Sequence, residues 1–230
     1  MKKLQETGLR SACKAIIAIL AVSAMLSFFS CQQFFTTSPL DDLQRDPGSL
    51  TDEQYEALAK AALETGDTDE IAEIYDGLGT LPPVEDDPDI YILAGELGMG
   101  GSGMTDLIDD IIEDEDATFT YAEIDAMLAG LNAVYINEAA DNLLALQAAI
   151  DGGLVSGVNI PDEDLLSAAT GMVAVAILLQ GGAAAFETAY PGGTLNPGAQ
   201  TAIAKAEALL AAMDVPGTVS DIGSIMGLTL

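Results

Sequence analysis

The segment from Leu165 to Phe186 contains 22 consecutive residues without a charge. Such a stretch must leave water, either by crossing a bilayer or by forming the centre of a folded core. Its flanks are Asp164 and Glu187, and no basic residue lies near either end to anchor a span at a membrane surface. Gly171, Gln180, Gly181 and Gly182 also interrupt it. The segment therefore reads as a buried central helix ending near Gln180. Ala168, Ala169, Gly171, Ala174 and Ala176 leave room for neighbouring helices to come close.

The rest of the chain is read as the surroundings of that helix. Val, Ile and Thr rarely alternate with polar residues, whereas Ala and Leu dominate, which is a helical signature rather than a strand signature. Helices are predicted at about 52–64, 68–79, 88–97, 104–113, 121–133, 136–151, 162–180 and 197–213, each bounded by Gly, Pro, Asp or Asn. Thr51 with Gln54 fits a capping box, and Asn196 before Pro197 is an N-cap and first-turn pair. Asp162, Glu163 and Asp164 follow Pro161 and suit the positive end of a helix dipole. Residues 214–230 read as a short helix plus tail. The expected fold class is all-α, with helical hairpins in a repeat-like array or an irregular helical bundle.

Charge narrows the functions. The formal net charge is −30 at pH 7, from 37 acids against seven Lys and Arg. Four of those bases, Lys2, Lys3, Arg10 and Lys14, fall in the first 30 residues, so the remainder is more acidic still, with only Arg45, Lys60 and Lys205. Phosphates and anionic lipid heads would be repelled, which argues against nucleic-acid binding. The acids are dispersed along the chain, as on a surface kept hydrated in high salt or at alkaline pH. The chain contains no His and no Trp. Ser-His-Asp and Cys-His catalysis and the usual zinc ligand sets are thereby excluded. No carboxylate pair stands out, so the expectation is a protein that is not an enzyme and carries no cofactor.

The N-terminus has a different character. A basic leader precedes Ala15 to Phe29, an uncharged and mostly apolar run that fits a signal-peptide core and is short for a membrane span. Small Ser30 then precedes Cys31. The segment LSFFSC (26–31) resembles a lipobox of bacterial lipoproteins, with Phe28 and Phe29 in place of the usual Leu and small residue. Spirochaete lipoproteins carry such loose versions. The resemblance implies cleavage before Cys31, lipidation of its thiol and an extracytoplasmic, membrane-anchored protein. Cys13 would leave with the signal, so Cys31 would be the lone cysteine and no internal disulfide would form. Gln32, rather than Asp, follows it, and by analogy with proteobacterial lipoproteins this implies the periplasmic face of the outer membrane. Residues 32–50, broken by Pro39, Pro47 and Gly48, read as a tether. The organisation is thus 1–30 signal peptide, 31–50 lipidated tether and 51–230 helical domain.

Within that domain, LAKAALETGDTDEIAEIYDGLGTLPP (58–83) resembles one tetratricopeptide repeat, giving a hairpin over about 52–83. Leu58 and Ala59 match its Leu–small pair, Ala62 falls at an aromatic position, Gly66 and Asp67 make the turn, Tyr75 holds the second aromatic position and Pro83 ends the unit. Ile71 replaces an expected small residue and would push the helices apart slightly. A weaker second unit would run from Ile90 to Leu97 and, after a glycine-rich stretch, from Met104 to Ile112, at the right period. The resemblance implies a surface for a protein partner, and some spirochaete lipoproteins with this repeat accompany solute transporters.

Residues 112–123 resemble an EF-hand loop, with Asp114, Asp116 and Glu123 at three ligand places. Ile112 occupies the first ligand position and Ala117 the place of the turn glycine, both unfavourable to calcium. The competing reading pairs Thr120 with Glu123 as a capping box. Asp86, Asp87 and Asp89 read as a solvated turn around Pro88. GELGMGGSG (95–103) has no Lys for a phosphate loop and reads as a flexible connection or a place where helices approach closely. The expected function is a lipid-anchored, partner-binding helical protein, with small-ligand or calcium binding as the alternative. The sequence leaves the partner and the oligomeric state open.

Overall fold

The computed structural model describes residues 52–113 and 119–230, which lie in one compact unit, 51–230. Among the described residues there are helices and no strands. The helices are α1 (Asp52–Thr65), α2 (Thr68–Gly77), α3 (Asp89–Gly101), α4 (Met104–Glu113), α5 (Tyr121–Leu128), α6 (Ala133–Asp151), α7 (Asp162–Gln180), α8 (Ala183–Ala189), α9 (Pro197–Ala212) and α10 (Val219–Ile225). The all-α class read from the sequence is thus present. The Thr51–Gln54 cap falls on a residue outside the described ones, as do Cys31, Asp114 and Asp116.

Helix α7 is the central helix. Every residue from Gly171 to Ile177 is buried, so the uncharged segment is enclosed by protein on all sides there. It ends where Gly181 takes a left-handed conformation at φ +98, which glycine adopts at no steric cost. No single helix among the described residues is long and apolar enough to cross a membrane. The principal neighbour of α7 is α9, and both helices carry buried small side chains. Ala168, Ala169, Ala174 and Ala176 on one helix and Ala199 and Ala206 on the other are fully buried. The join between them is local: Asn196 caps α9 through Ala199 N–H at 2.8 Å, and its own N–H donates to Gln180 Oε1 at 2.9 Å. This is the cap expected from Asn196-Pro197.

Helix α3 departs most from expectation. It runs on through Gly98, Met99, Gly100 and Gly101, where the glycines predicted a flexible connection or a close approach, and the turn is confined to Ser102 and Gly103. Glycine costs a helix up to about 1 kcal/mol relative to alanine. Here close packing on two sides offsets that cost. A Cβ on Gly98 would lie 2.9 Å from Ala139 Cβ and 3.2 Å from Tyr135 O, both on α6. A Cβ on Gly101 would lie 2.9 Å from Ala72 Cα of α2. Gly171 repeats the pattern on α7, where a Cβ would meet Ile136 and Met99. The glycine face thus lets α3 fit between α2 and α6.

Two helices joined at Gly66 and Asp67 form close to the expected positions. Ala59 and Ala62 are buried, Gly66 turns the chain at φ +69, and Asp67 caps α2 through the N–H groups of Asp69 and Glu70. Ile71 is buried and its methyls lie beside Gly100 of α3. The second pair, α3 with α4, has no glycine-rich linker, and α3 packs more extensively on α2 and α6 than on α4.

Two further boundaries and one helix differ from the sequence reading, whereas the C-terminal segment holds a short helix and tail, as read. The helix expected to reach residue 133 stops at Leu128, and Asn132 caps α6 through Val134 and Tyr135 N–H, so α6 starts at Ala133 rather than 136. Helix α8 was not anticipated; its first N–H, of Ala183, donates to Asp125 Oδ1 of α5 at 2.7 Å. Gly182 leaves the space that this carboxylate occupies. The C-terminal segment holds α10, capped by Thr218 and Asp221, and Thr229 N–H donates to Glu187 of α8 at 2.7 Å.

The packing of α3 makes a test. Gly98→Ala and Gly101→Ala should each destabilise the fold by about 1–3 kcal/mol, the usual cost of overpacking, although alanine is the better helix former. Exposed Gly192, with open space around its Cβ position, should tolerate alanine with little change. Thermal or urea melts of the three variants would check the sign.

Candidate functional site

Of the residues singled out for calcium, Asp114 and Asp116 lie outside the described residues and Glu123 is described. Glu123 is the acid of a capping box: its Oε2 accepts from Thr120 N–H and Thr120 Oγ1, both at 2.7 Å. Those two bonds hold its carboxyl below the usual range. Among the described residues, no three Asp, Glu, His or Cys side chains converge as a metal site. Asp87 of the other acidic stretch accepts from Ile90 N–H at 3.3 Å, as a turn and start signal for α3.

Two clefts flank the glycine-packed helix instead. The first lies between α2, the loop after it, α3 and α6, with a volume of about 380 Å³. Tyr75, Asp76, Tyr91, Glu138 and Asn142 supply its polar lining, and Leu81 and Ala94 add apolar wall. The tyrosines are held in place. Tyr75 is buried and meets Tyr135 edge to face, with ring centroids 5.0 Å apart at 71°. The Tyr135 hydroxyl donates to Asp76 Oδ1 at 2.8 Å, and that of Tyr91 donates to Pro82 O at 2.8 Å. Burial pushes the Tyr75 hydroxyl well above the ordinary phenol range, with Glu138 beside it acting in the same direction. It therefore stays protonated and is no nucleophile near neutral pH.

The second cleft, of about 370 Å³, lies between α1, α3, α4 and α7. Glu64, Glu96, Thr105, Asp164 and Ser167 line it. Burial and the nearby Glu96 and Glu163 carboxylates push Asp164 up to about 7. Its Oδ2 is buried without a hydrogen-bond partner. Glu96 is also raised, chiefly by burial, against the opposing pull of Lys60. The acids at the start of α7 thus do not all serve its dipole: Asp162 Oδ1 accepts from Asp214 N–H, and Asp164 faces a like charge.

The sequence reading reached Tyr75 as a repeat position but not its partnership with Tyr135 and Glu138. Those residues lie some 60 positions further along, and only the close seating of α3 between α2 and α6 joins them. The chain matches no protein-family model, and no curated protein or solved structure is detectably similar to it.

Asp164 sets the sign of a pH effect. Its carboxyl is raised in the fold, so its favourable contribution is complete below about 4 and is lost as pH rises through about 7. Stability should therefore fall between pH 5 and pH 8. Asp164→Asn should flatten that slope and raise the melting temperature at pH 8, by about 2–4 °C for each kcal/mol recovered. Melts of both proteins across this range would check it; an unchanged slope would show that Asp164 ionises without penalty.

Proposed function

We propose that this chain is a non-enzymatic binding protein, anchored by lipid on Cys31 and carried on the extracytoplasmic side of a membrane. The observation that carries binding over catalysis is the lining of the α2–α3–α6 cleft. Its functional groups are tyrosines, carboxylates and an amide, with its tyrosine hydroxyls committed to protein partners and no nucleophile beside a base. A cleft of this volume suits a small ligand or one side chain of a partner.

The leader and LSFFSC (26–31) support the anchor, and residues 32–50 would let the helical unit stand off from the bilayer. The α1–α2 hairpin supports the kinship with tetratricopeptide-type scaffolds, and with it a protein partner such as a solute transporter. Gln32 supports the periplasmic face of the outer membrane. Phosphate-bearing partners are disfavoured. Lys60 and Lys205, the basic residues among the described ones, are paired with Glu56 and Asp141.

The anchor is tested directly. The wild-type chain made in a bacterial host should incorporate labelled palmitate and sediment with membranes. Cys31→Ser should lose the label, and a chain begun at Gln32 should enter the soluble fraction with its helical signal intact. A wild-type chain that took up no label, or a Cys31→Ser chain that kept it, would overturn the lipoprotein reading.

A further inference from the structure

We propose that α1 is a pH-sensitive strap, seated on α3 while the carboxyls of the cleft beside it share a proton and released when that proton leaves. The cleft between α1, α3, α4 and α7 brings together carboxyl side chains from three helices: Glu64 of α1, Glu96 of α3 and Asp164 of α7. Thr105 of α4 and Ser167 of α7 complete its polar lining. Glu163, next to Asp164, adds a further like charge. The basic group within reach is Lys60 of α1, which acts on Glu96 but is exposed and paired with Glu56 of its own helix at 2.5 Å. The other acids on these helix ends have partners elsewhere: Asp106 of α4 accepts from the Thr68 hydroxyl at 2.9 Å, and Asp162 of α7 from Asp214 N–H at 3.1 Å.

Asp164 is the member of this group that cannot ionise in place. Its Oδ2 is buried without a hydrogen-bond partner. A neutral carboxyl tolerates such a position far better than a carboxylate, which needs water or a donor. Once ionised, Asp164 gains water most readily if one wall of the cleft moves. The walls are not held equally. Helices α3 and α7 belong to the centre of the fold, and α4 is fixed by buried Met104 and Leu107 and by the Ser102 hydroxyl, which accepts from Met104 N–H. Helix α1 packs chiefly on α2 and α3, and its buried described side chains are Tyr55, Ala59 and Ala62. Leu63, which lines the cleft, lies half-buried over Gly100 of α3. The join to α2 is Gly66, at φ +69 with open space where a side chain would stand, so α1 can swing without dragging another described helix.

The sign follows from the burial. A carboxyl raised in the closed form and ordinary in the open form favours opening as pH rises. Opening therefore grows from about pH 4 and levels off above about 7. On the anchored reading above, on which this consequence alone rests, release of α1 would add its 14 residues to the tether.

The test is amide hydrogen exchange of the full chain in an uncharged maltoside detergent at pH 5 and pH 7.5, corrected for the intrinsic pH dependence of exchange. Protection of α1 should fall by about tenfold or more between the two, since each unit of pKa difference is worth a factor of ten. Helix α1 should also exchange faster than α7 at both pH values. Asp164→Asn should abolish the fall, and Glu96→Gln should reduce it, because the like charge is gone while Asp164 still ionises. Asp86→Asn, in an exposed turn, should leave it as in the wild type. Protection of α1 that did not change with pH, while that of α7 and α9 fell, would overturn the proposal: Asp164 would then gain water only on global unfolding. Equal protection of α1 and α7 would overturn it as well, since α1 would open only with the whole fold. So would a fall in Asp164→Asn or Glu96→Gln as large as in the wild type. Labelling of Cys31 bears on none of these outcomes.

Discussion

The fold depends on how closely α3 can approach its neighbours. At Gly98 the backbone of α3 meets Ala139 and the Tyr135 carbonyl, and at Gly101 it meets the backbone of Ala72. Side chains at these places would hold the helices apart. Because the gap is closed, α3 is shared between the first hairpin and the central layer of α6 and α7. The same contact shapes the tyrosine cleft. A Cβ on Gly98 would also lie 3.3 Å from Cζ of Tyr75. The glycine that admits α6 therefore also admits the ring whose edge-to-face partner, Tyr135, stands on α6. Packing and candidate site are two consequences of one missing side chain.

The opposite arrangement holds at the other cleft. There the approach of α3 to α7 brings carboxyls rather than rings into proximity, and Asp164 is buried with an unpartnered oxygen beside Glu96. A buried polar group without a partner costs stability, and a like charge adds to that cost. Elsewhere the acids avoid this penalty. Glu123, Glu187 and Asp221 accept hydrogen bonds from helix ends or hydroxyls and are lowered, so their contribution is present above the usual carboxylate range and lost in acid. The protein is therefore loaded on both sides of mild acidity: its caps fail below it, and Asp164 is strained above it.

Much of this was legible in the sequence where the signal is local. The ends of α7 follow from Pro161 and from Gly181, and the starts of α5 and α9 follow from Thr120 with Glu123 and from Asn196 with Pro197. Each is a side chain or backbone conformation acting within four residues. The parts that were misread are set by distant neighbours. Helix α8 is capped by Asp125, 58 residues earlier, which no local pattern reveals. The run of glycines in α3 argues for a loop by propensity, and helix packing overrides that preference. The close-approach reading of residues 95–103 had the right physics, but only the facing residues Ala72 and Ala139 decide it. Likewise Tyr75 was visible as an aromatic position, whereas its cleft required Tyr91 and Glu138 to arrive from two other helices.

Amide hydrogen exchange tests the role of α3 most directly. If its glycine face is the closest-packed part of the fold, the amides of Gly98 to Gly101 should exchange as slowly as those of Leu143 in α6 and Val173 in α7. All three sets should open together in the global unfolding event. Exchange at Gly98 to Gly101 as fast as in the connection at residues 214–218 would contradict the account. It would mean that these glycines form a loose linker and that the tyrosine cleft has no fixed frame.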